Sequence, residues 1–187
     1  DGRIAEVGEL TPRRGETVVN GGGAVLSPGF IDTHSHHDRG LLSDMRSARA
    51  VVSQGITTIV VGQDGGSQYP LVDFFTQAEA TPPAVNVASY TGHAALRREV
   101  MGDDLQRTAT PPETDSMSVL LRADMEQGSF GLSTGLEYSA ALNSTTEEVV
   151  SLAHVAAEFN GRYISHIRSE DRTFWDAIDE ILSIGSD

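Results

Sequence analysis

The 187-residue chain contains no cysteine. That absence excludes both a disulfide framework and a thiolate metal ligand, and it makes a reducing cytoplasm the simplest compartment. Lysine is absent too, so all 13 basic residues are arginines, against 27 acidic residues and a formal net charge of -14. So acidic a chain has nothing to offset phosphate repulsion, and a nucleic-acid partner is not expected. No apolar run is long enough to cross a membrane and no signal-peptide pattern opens the chain at Asp1, so no membrane partner is expected either. What remains is the composition of a globular protein, 39% hydrophobic and 21% charged, long enough for one domain with a sizeable core.

Residues 1–27 alternate Gly- and Pro-containing turns with β-prone pieces, Arg3-Ile4-Ala5-Glu6-Val7, Thr17-Val18-Val19 and Ala24-Val25-Leu26. They predict small antiparallel strands of an accessory β-structure without candidate chemistry. Residues 28–187 have another rhythm, in which short apolar runs alternate with amphipathic segments. Phe30-Ile31 opens it, and Leu41, Met45, Ala48 and Val52 then fall at helical spacing before a stop at Gly55. The run Ile56 to Val61 is continuously β-prone, Leu71, Phe74, Phe75 and Ala78 give a helical face, and residues 84–88 form a third strand running to His93. After a longer connection, Met117, Leu120, Leu121 and Met125 mark a helix closed by Gly128. Residues 130–134 are a fourth strand and residues 162–167 a fifth. Between them Ser144 with Glu147 and Thr145 with Glu148 offer overlapping capping boxes. A last helix carries Phe174, Ile178, Ile181 and Leu182 up to Gly185, and Trp175 reads as core.

Apolar strands alternating with helices indicate an α/β fold with a parallel sheet covered on both faces. Five strands could close as a doubly wound sheet, whereas an eight-stranded barrel typically takes about 250 residues. The polar residues gather after each strand, where parallel α/β folds carry their sites. His34 and His36 follow the first strand, Asp64 the second, His93 the third, Glu137 the fourth and His166 the fifth. In an extended segment alternate side chains share a face, so His34 and His36 can close on one metal ion, although a merely histidine-rich loop reads the same way. Histidines with a carboxylate suit Zn²⁺, and a bridging carboxylate can hold two ions about 3.5–4 Å apart.

Five segments resemble the amidohydrolase superfamily, and within it most of all the N-acyl-D-amino-acid deacylases, or D-aminoacylases. They are Pro28-Gly29-Phe30-Ile31-Asp32-Thr33-His34-Ser35-His36, the run from Gln54 to Gly62, Tyr90-Thr91-Gly92-His93, the block from Gly131 to Tyr138, and Ser165-His166-Ile167-Arg168-Ser169-Glu170. The resemblance spans nearly the whole chain, with residues 1–27 matching part of the family's accessory β-domain. It implies a metal-dependent (β/α)8 barrel, present here for about strands 1–5, in which one or two zinc ions activate water for attack on the amide of an N-acyl-D-amino acid.

On that resemblance His34, His36 and His166 match metal ligands. Many family members carry cysteine where this chain has Asp64, and the carboxylated lysine common after strand 4 is impossible without lysine. Glu137 stands at that strand-4 place. Either Glu137 or Asp64 could supply the anionic ligand, with Glu137 favoured for its longer reach. His93 and Arg168 are candidate substrate-binding residues, although a buried histidine and a strand–helix ion pair are their ordinary alternatives. Asp32 is expected to support the site from behind. The family's general-base aspartate is expected beyond Asp187, in a carboxy-terminal half of the barrel. Cyclic-amide hydrolases of the hydantoinase and dihydroorotase type, and a non-catalytic metal-binding scaffold, are the rival readings.

Overall fold

A computed structural model describes residues 3–43 and 48–186. Among the described residues, six strands and six helices follow one another. In order these are β1 (Phe30–Asp32), α1 (Arg49–Val52), β2 (Ile56–Val61), α2 (Leu71–Ala80), β3 (Asn86–Ser89) and β4 (Thr91–Gly92). They continue with α3 (His93–Met101), α4 (Pro111–Glu126), β5 (Gly131–Gly135), α5 (Thr146–Glu158), β6 (Arg162–His166) and α6 (Phe174–Ser186). Every pairing is parallel, in the orders β1-β2-β3 and β4-β5-β6.

The expected third strand is thus two strands, broken at Tyr90. Its carbonyl accepts the Ser89 hydroxyl at 2.9 Å instead of a ladder bond. The two sheets are laced together there: Tyr90 N donates to Val61 O at 3.0 Å, and Phe130 N to Ser89 O at 2.8 Å. Strands therefore succeed one another in sequence order without the reversal that defines a doubly wound sheet. This is the wall of a (β/α) barrel.

The main core lies between strands and helices, where Leu96, Met117, Leu121, Leu132 and Leu152 are fully buried. A second cluster joins Val51, Ile59, Val61 and Phe74 around β2. Helix α4 starts in a complete Thr110–Glu113 capping box with proline in its first turn, which satisfies orphan N–H groups.

Four expectations differ from the structure. Residues 3–29 form turns, closed by Glu16 N to Arg13 O and Ala24 N to Gly21 O, and contain no strand. A strand needs a ladder partner and a face to bury. Here Ile4, Val7, Val19, Val25 and Leu26 remain exposed. The helix expected over Leu41 to Val52 is regular only over Arg49–Val52, and Met45 lies outside the described residues. Helix α3 fills what reads as a loop. Finally, α6 runs through Gly185 and buries Ala177 and Ile184, leaving Trp175 on its outer face at 75% exposure.

Candidate metal centre

Past Asp32, which pairs with Ile59, one more bond ties the chain to β2: Ser35 N donates to Val60 O at 3.0 Å. Ser35 points inward and is buried, its hydroxyl 3.0 Å from His37 Nδ1. His34 and His36 flank it and project together to the other side, their rings 5.4 Å apart. Asp32 Oδ1 accepts the His34 backbone N–H at 3.2 Å and so braces the start of the loop.

The chain leaving β2 turns sharply to meet that pair. Gly62 has φ +73°, and a Cβ there would lie 2.2 Å from Tyr90 O, so only glycine fits. Gln63 is buried and its Nε2 donates to Thr33 O at 3.1 Å and Val60 O at 3.0 Å, tying this turn to the histidine loop. Asp64 takes φ +55°, a left-handed conformation that non-glycine residues adopt sparingly and often at functional sites. The turn carries its carboxylate between the imidazoles, with Oδ1 3.4 Å from His34 Nε2 and Oδ2 3.1 Å from His36 Nε2. Ser133 on β5 fixes the turn's far side, accepting from Gly65 N at 3.2 Å and donating to Gly62 O at 2.5 Å.

A second group assembles on the next strand ends. His166, the last residue of β6, faces Glu137 Oε2 with Nε2 at 3.0 Å and Glu170 Oε1 with Nδ1 at 3.9 Å. The Tyr138 ring stacks on the imidazole at 4.6 Å, and its hydroxyl lies 3.4 Å from Nδ1. Partial burial, reinforced by the negative charges of Asp64, Glu137 and Glu170, pushes the Tyr138 hydroxyl's pKa up. That hydroxyl therefore feels both groups. His36, Asp64 and Tyr138 line one cleft of about 470 Å³.

The five expected ligands thus fall into two sets, the second joined by Glu170, each with ligand atoms within 4.8 Å of one another: His34, His36 and Asp64, and Glu137, His166 and Glu170. Two imidazoles with a carboxylate are a donor set that suits Zn²⁺. Asp64, the shorter acid, reaches the histidine pair because the left-handed turn moves its backbone there, while Glu137 meets His166. Glu170 carries no expected role. It sits four residues from His166, a spacing visible in the sequence.

The two residues expected at the substrate lie outside both groups. His93 begins α3 and has no exposed surface; its Nε2 lies 2.7 Å from Glu148 Oε1. Arg168 donates Nε and Nη2 to Glu180 at 2.8 Å each and Nη1 to Leu142 O at 3.1 Å, so its fork is taken up by a strand–helix ion pair. Both are thus bonded within the chain.

Residues 17–184 match the model of an amidohydrolase family. Over 98% of its length the chain is 36% identical to a D-aminoacylase and 33% identical to an N-acyl-D-glutamate deacylase, both of Alcaligenes xylosoxydans xylosoxydans. It spans 42% of each of these relatives. Among solved structures, a D-aminoacylase superposes on 86% of the chain with TM-score 0.79 and 34% identity, over 38% of its own length. An N-acyl-D-glutamate deacylase from Bordetella bronchiseptica, complexed with zinc and a phosphonate inhibitor that mimics the tetrahedral intermediate, does so on 84% with TM-score 0.81 and 36% identity, again over 38% of its own length. The parallel wall, the histidine pair after its first strand and these likenesses agree: the chain belongs to the amidohydrolase family.

Proposed function

We propose that this chain is the amino-terminal part of a zinc-dependent deacylase that hydrolyses the amide of N-acyl-D-amino acids, releasing a carboxylate and a D-amino acid. The observation that carries the reading is the convergence of His34, His36 and Asp64 from two neighbouring strand ends. Its support from relatives is that the D-aminoacylase, the N-acyl-D-glutamate deacylase and an N-acyl-D-aspartate deacylase 36% identical to the chain all carry the same substrate class in their names. A D-aminoacylase structure is described with a binuclear metal centre, and the deacylase of Bordetella bronchiseptica with zinc.

In this reading His34, His36 and Asp64 hold one zinc ion, and His166 with Glu137 and Glu170 offers a place for a second. When bound, zinc supplies a Lewis acid that polarises the acyl carbonyl and lowers the pKa of water from about 15.7 towards 7. The chain's own residues orient that chemistry. Asp32 and Ser35 fix the histidine loop, Gln63 locks the Asp64 turn against it, and Tyr138 holds the His166 ring by stacking. Residues 28–187 form the first part of the barrel, and residues 1–27, which hold no strand of their own over 3–29, contribute part of an accessory β-structure whose strand partners come from the rest of the protein. The general-base aspartate and the remaining strands lie beyond Asp187, and the cysteine-free composition supports a cytoplasmic setting.

The test is turnover by the full-length protein containing this chain, with added Zn²⁺, of N-acetyl-D- and N-acetyl-L-amino acids. Hydrolysis of D-substrates is expected. Its absence across a D-amino-acid panel would sink the assignment.

A further inference from the structure

A buried ionic cluster lies behind the site and is not used in the chemistry above. On α3, His93 and Arg97 are one helical turn apart and share a face. Both are fully buried, and so is Glu148 of α5, which they meet. Arg97 Nη1 donates to Glu148 Oε1 at 2.6 Å and Oε2 at 2.8 Å, and His93 Nε2 lies 2.7 Å from Oε1. Burial alone would raise the Glu148 pKa, but the bonds from His93 and Arg97 outweigh it and hold the carboxylate ionised. His93 then donates Nε2–H and stays neutral, since burial pushes its own pKa down. The cluster balances one positive and one negative charge.

The rest of the guanidinium is aimed at backbone. Nε donates to Ala140 O at 2.8 Å and Nη2 to Arg107 O at 2.7 Å. Ala140 belongs to the loop between β5 and α5 that carries Glu137 and Tyr138. Tyr138 in turn has its carbonyl bonded by Ala141 N and Leu142 N, both at 2.9 Å, so this is one short hydrogen-bonded turn. A grip on Ala140 O is therefore a grip on Tyr138. Glu148 shows how far the fold goes to keep the arrangement. It stands at the third position of α5 and its N–H is capped by Thr145 Oγ1 at 3.2 Å, where a capping box would return its carboxylate to Thr145 N. That carboxylate is spent on Arg97 and His93 instead.

Burying an arginine and a glutamate contributes little net stability over apolar side chains of the same volume, so stability alone does not account for the cluster. The planar fork does what no apolar group can, which is to fix carbonyls from two separate loops at once. We propose that Arg97, oriented by Glu148 and His93, is a positioning residue that clamps the 136–144 loop so that Glu137 and Tyr138 are held against His166. The proposal rests on the deacylase reading only for its effect on turnover; the clamp itself is a property of the apo protein.

The experiment compares the full-length protein with Arg97→Lys, which keeps a cation beside Glu148 but has no fork, and with Arg97→Met/Glu148→Gln, which removes both charges at similar volume. Amide hydrogen exchange in the metal-free proteins is read over residues 136–144 and over β5, and kcat and KM are measured with an N-acetyl-D-amino acid. The expected result in both variants is exchange about tenfold or more faster over 136–144 with β5 unchanged, and kcat/KM lowered about tenfold or more. Parental exchange over 136–144 in either variant would overturn the clamp. Exchange rising equally over β5 and the loop would overturn it as well, because the cluster would then be supporting the fold as a whole. If the parent shows no deacylase activity, the exchange data still decide the clamp while the functional reading fails.

Discussion

His36 and Asp64 face each other from adjacent strand ends, Nε2 to Oδ2 at 3.1 Å, although one leaves β1 and the other a left-handed turn after β2. The contact depends on two separate devices: the inward Ser35 that turns His34 and His36 outward, and the Gly62–Asp64 turn that brings the acid to them.

Asp64→Asn separates fold from ligation. Asparagine tolerates the left-handed backbone as well as aspartate does but is not an anionic ligand. Unfolding of the metal-free full-length protein is expected to shift by no more than about 0.5 kcal/mol, while zinc affinity falls about tenfold or more. Competition titration with a chromogenic chelator measures the second quantity. An Asn variant that binds zinc as tightly as the parent would remove Asp64 from the ligand set.

Glu137→Gln addresses the second group. With His34, His36 and Asp64 intact, zinc content after dialysis is expected to drop by about one equivalent from a two-ion parent and leave the first ion in place. Unchanged metal content would place Glu137 outside any ligand set.

Gly62→Ala and Leu121→Ala make a contrasting pair. An alanine at 62 keeps φ +73° only with strain and drives Cβ towards Tyr90 O, so a loss of about 1–3 kcal/mol is expected together with weaker zinc binding. Leu121 is fully buried far along α4, and its truncation is expected to cost about 2–5 kcal/mol without changing zinc affinity in the folded protein. Equal effects of the two on zinc binding would contradict the role given to the turn.

Two buried carboxylates carry opposite pH signatures. Glu148 is held below its ordinary value, so its stabilisation is present above about pH 4.5 and is lost as pH falls through the lower folded-state value. Asp124, which accepts Leu71 N at 3.1 Å and the Thr91 hydroxyl at 3.1 Å, is pushed up mainly by burial. Its folded form holds a proton longer than the unfolded chain, so it lowers stability as pH rises from about 3.8 through the folded-state value. Asp124→Asn is therefore expected to be less harmful at pH 7 than at pH 3.5, and Arg97→Met/Glu148→Gln to flatten the stability loss below pH 4.5. Denaturant midpoints across pH 3 to 7 check both signs; a penalty for Asp124→Asn that grows with pH would refute the first.

The parts of this molecule legible in the sequence are those written in local patterns. The β-prone run of residues 56–61, the alternation of His34 and His36 about Ser35, and the polar residues after each strand all survive in the fold. What stayed hidden depends on partners distant in the chain. Arg97 gives no signal in the sequence because nothing near it predicts Glu148, 51 positions away. The same pairing explains why His93 turned inward and why α3, with a polar residue at its buried face, shows no helical stripe. Asp64 stands second to Glu137 as the anionic ligand in the sequence because its left-handed φ and the pinned turn of Gly62 and Gln63, which bring it to the histidine pair, are not written in local sequence. Residues 3–29 carry strand-like alternation, yet a strand exists only with a neighbour to pair with.

The central claim is that the His34–His36–Asp64 group binds the zinc on which amide hydrolysis depends. The most direct measurement strips the full-length protein with chelator and titrates Zn²⁺ back while following N-acetyl-D-amino acid hydrolysis, for the parent and for His36→Ala. Activity is predicted to return with zinc in the parent and to stay at least about a hundredfold lower in the variant. A variant that regains parental zinc content and parental turnover would contradict the account.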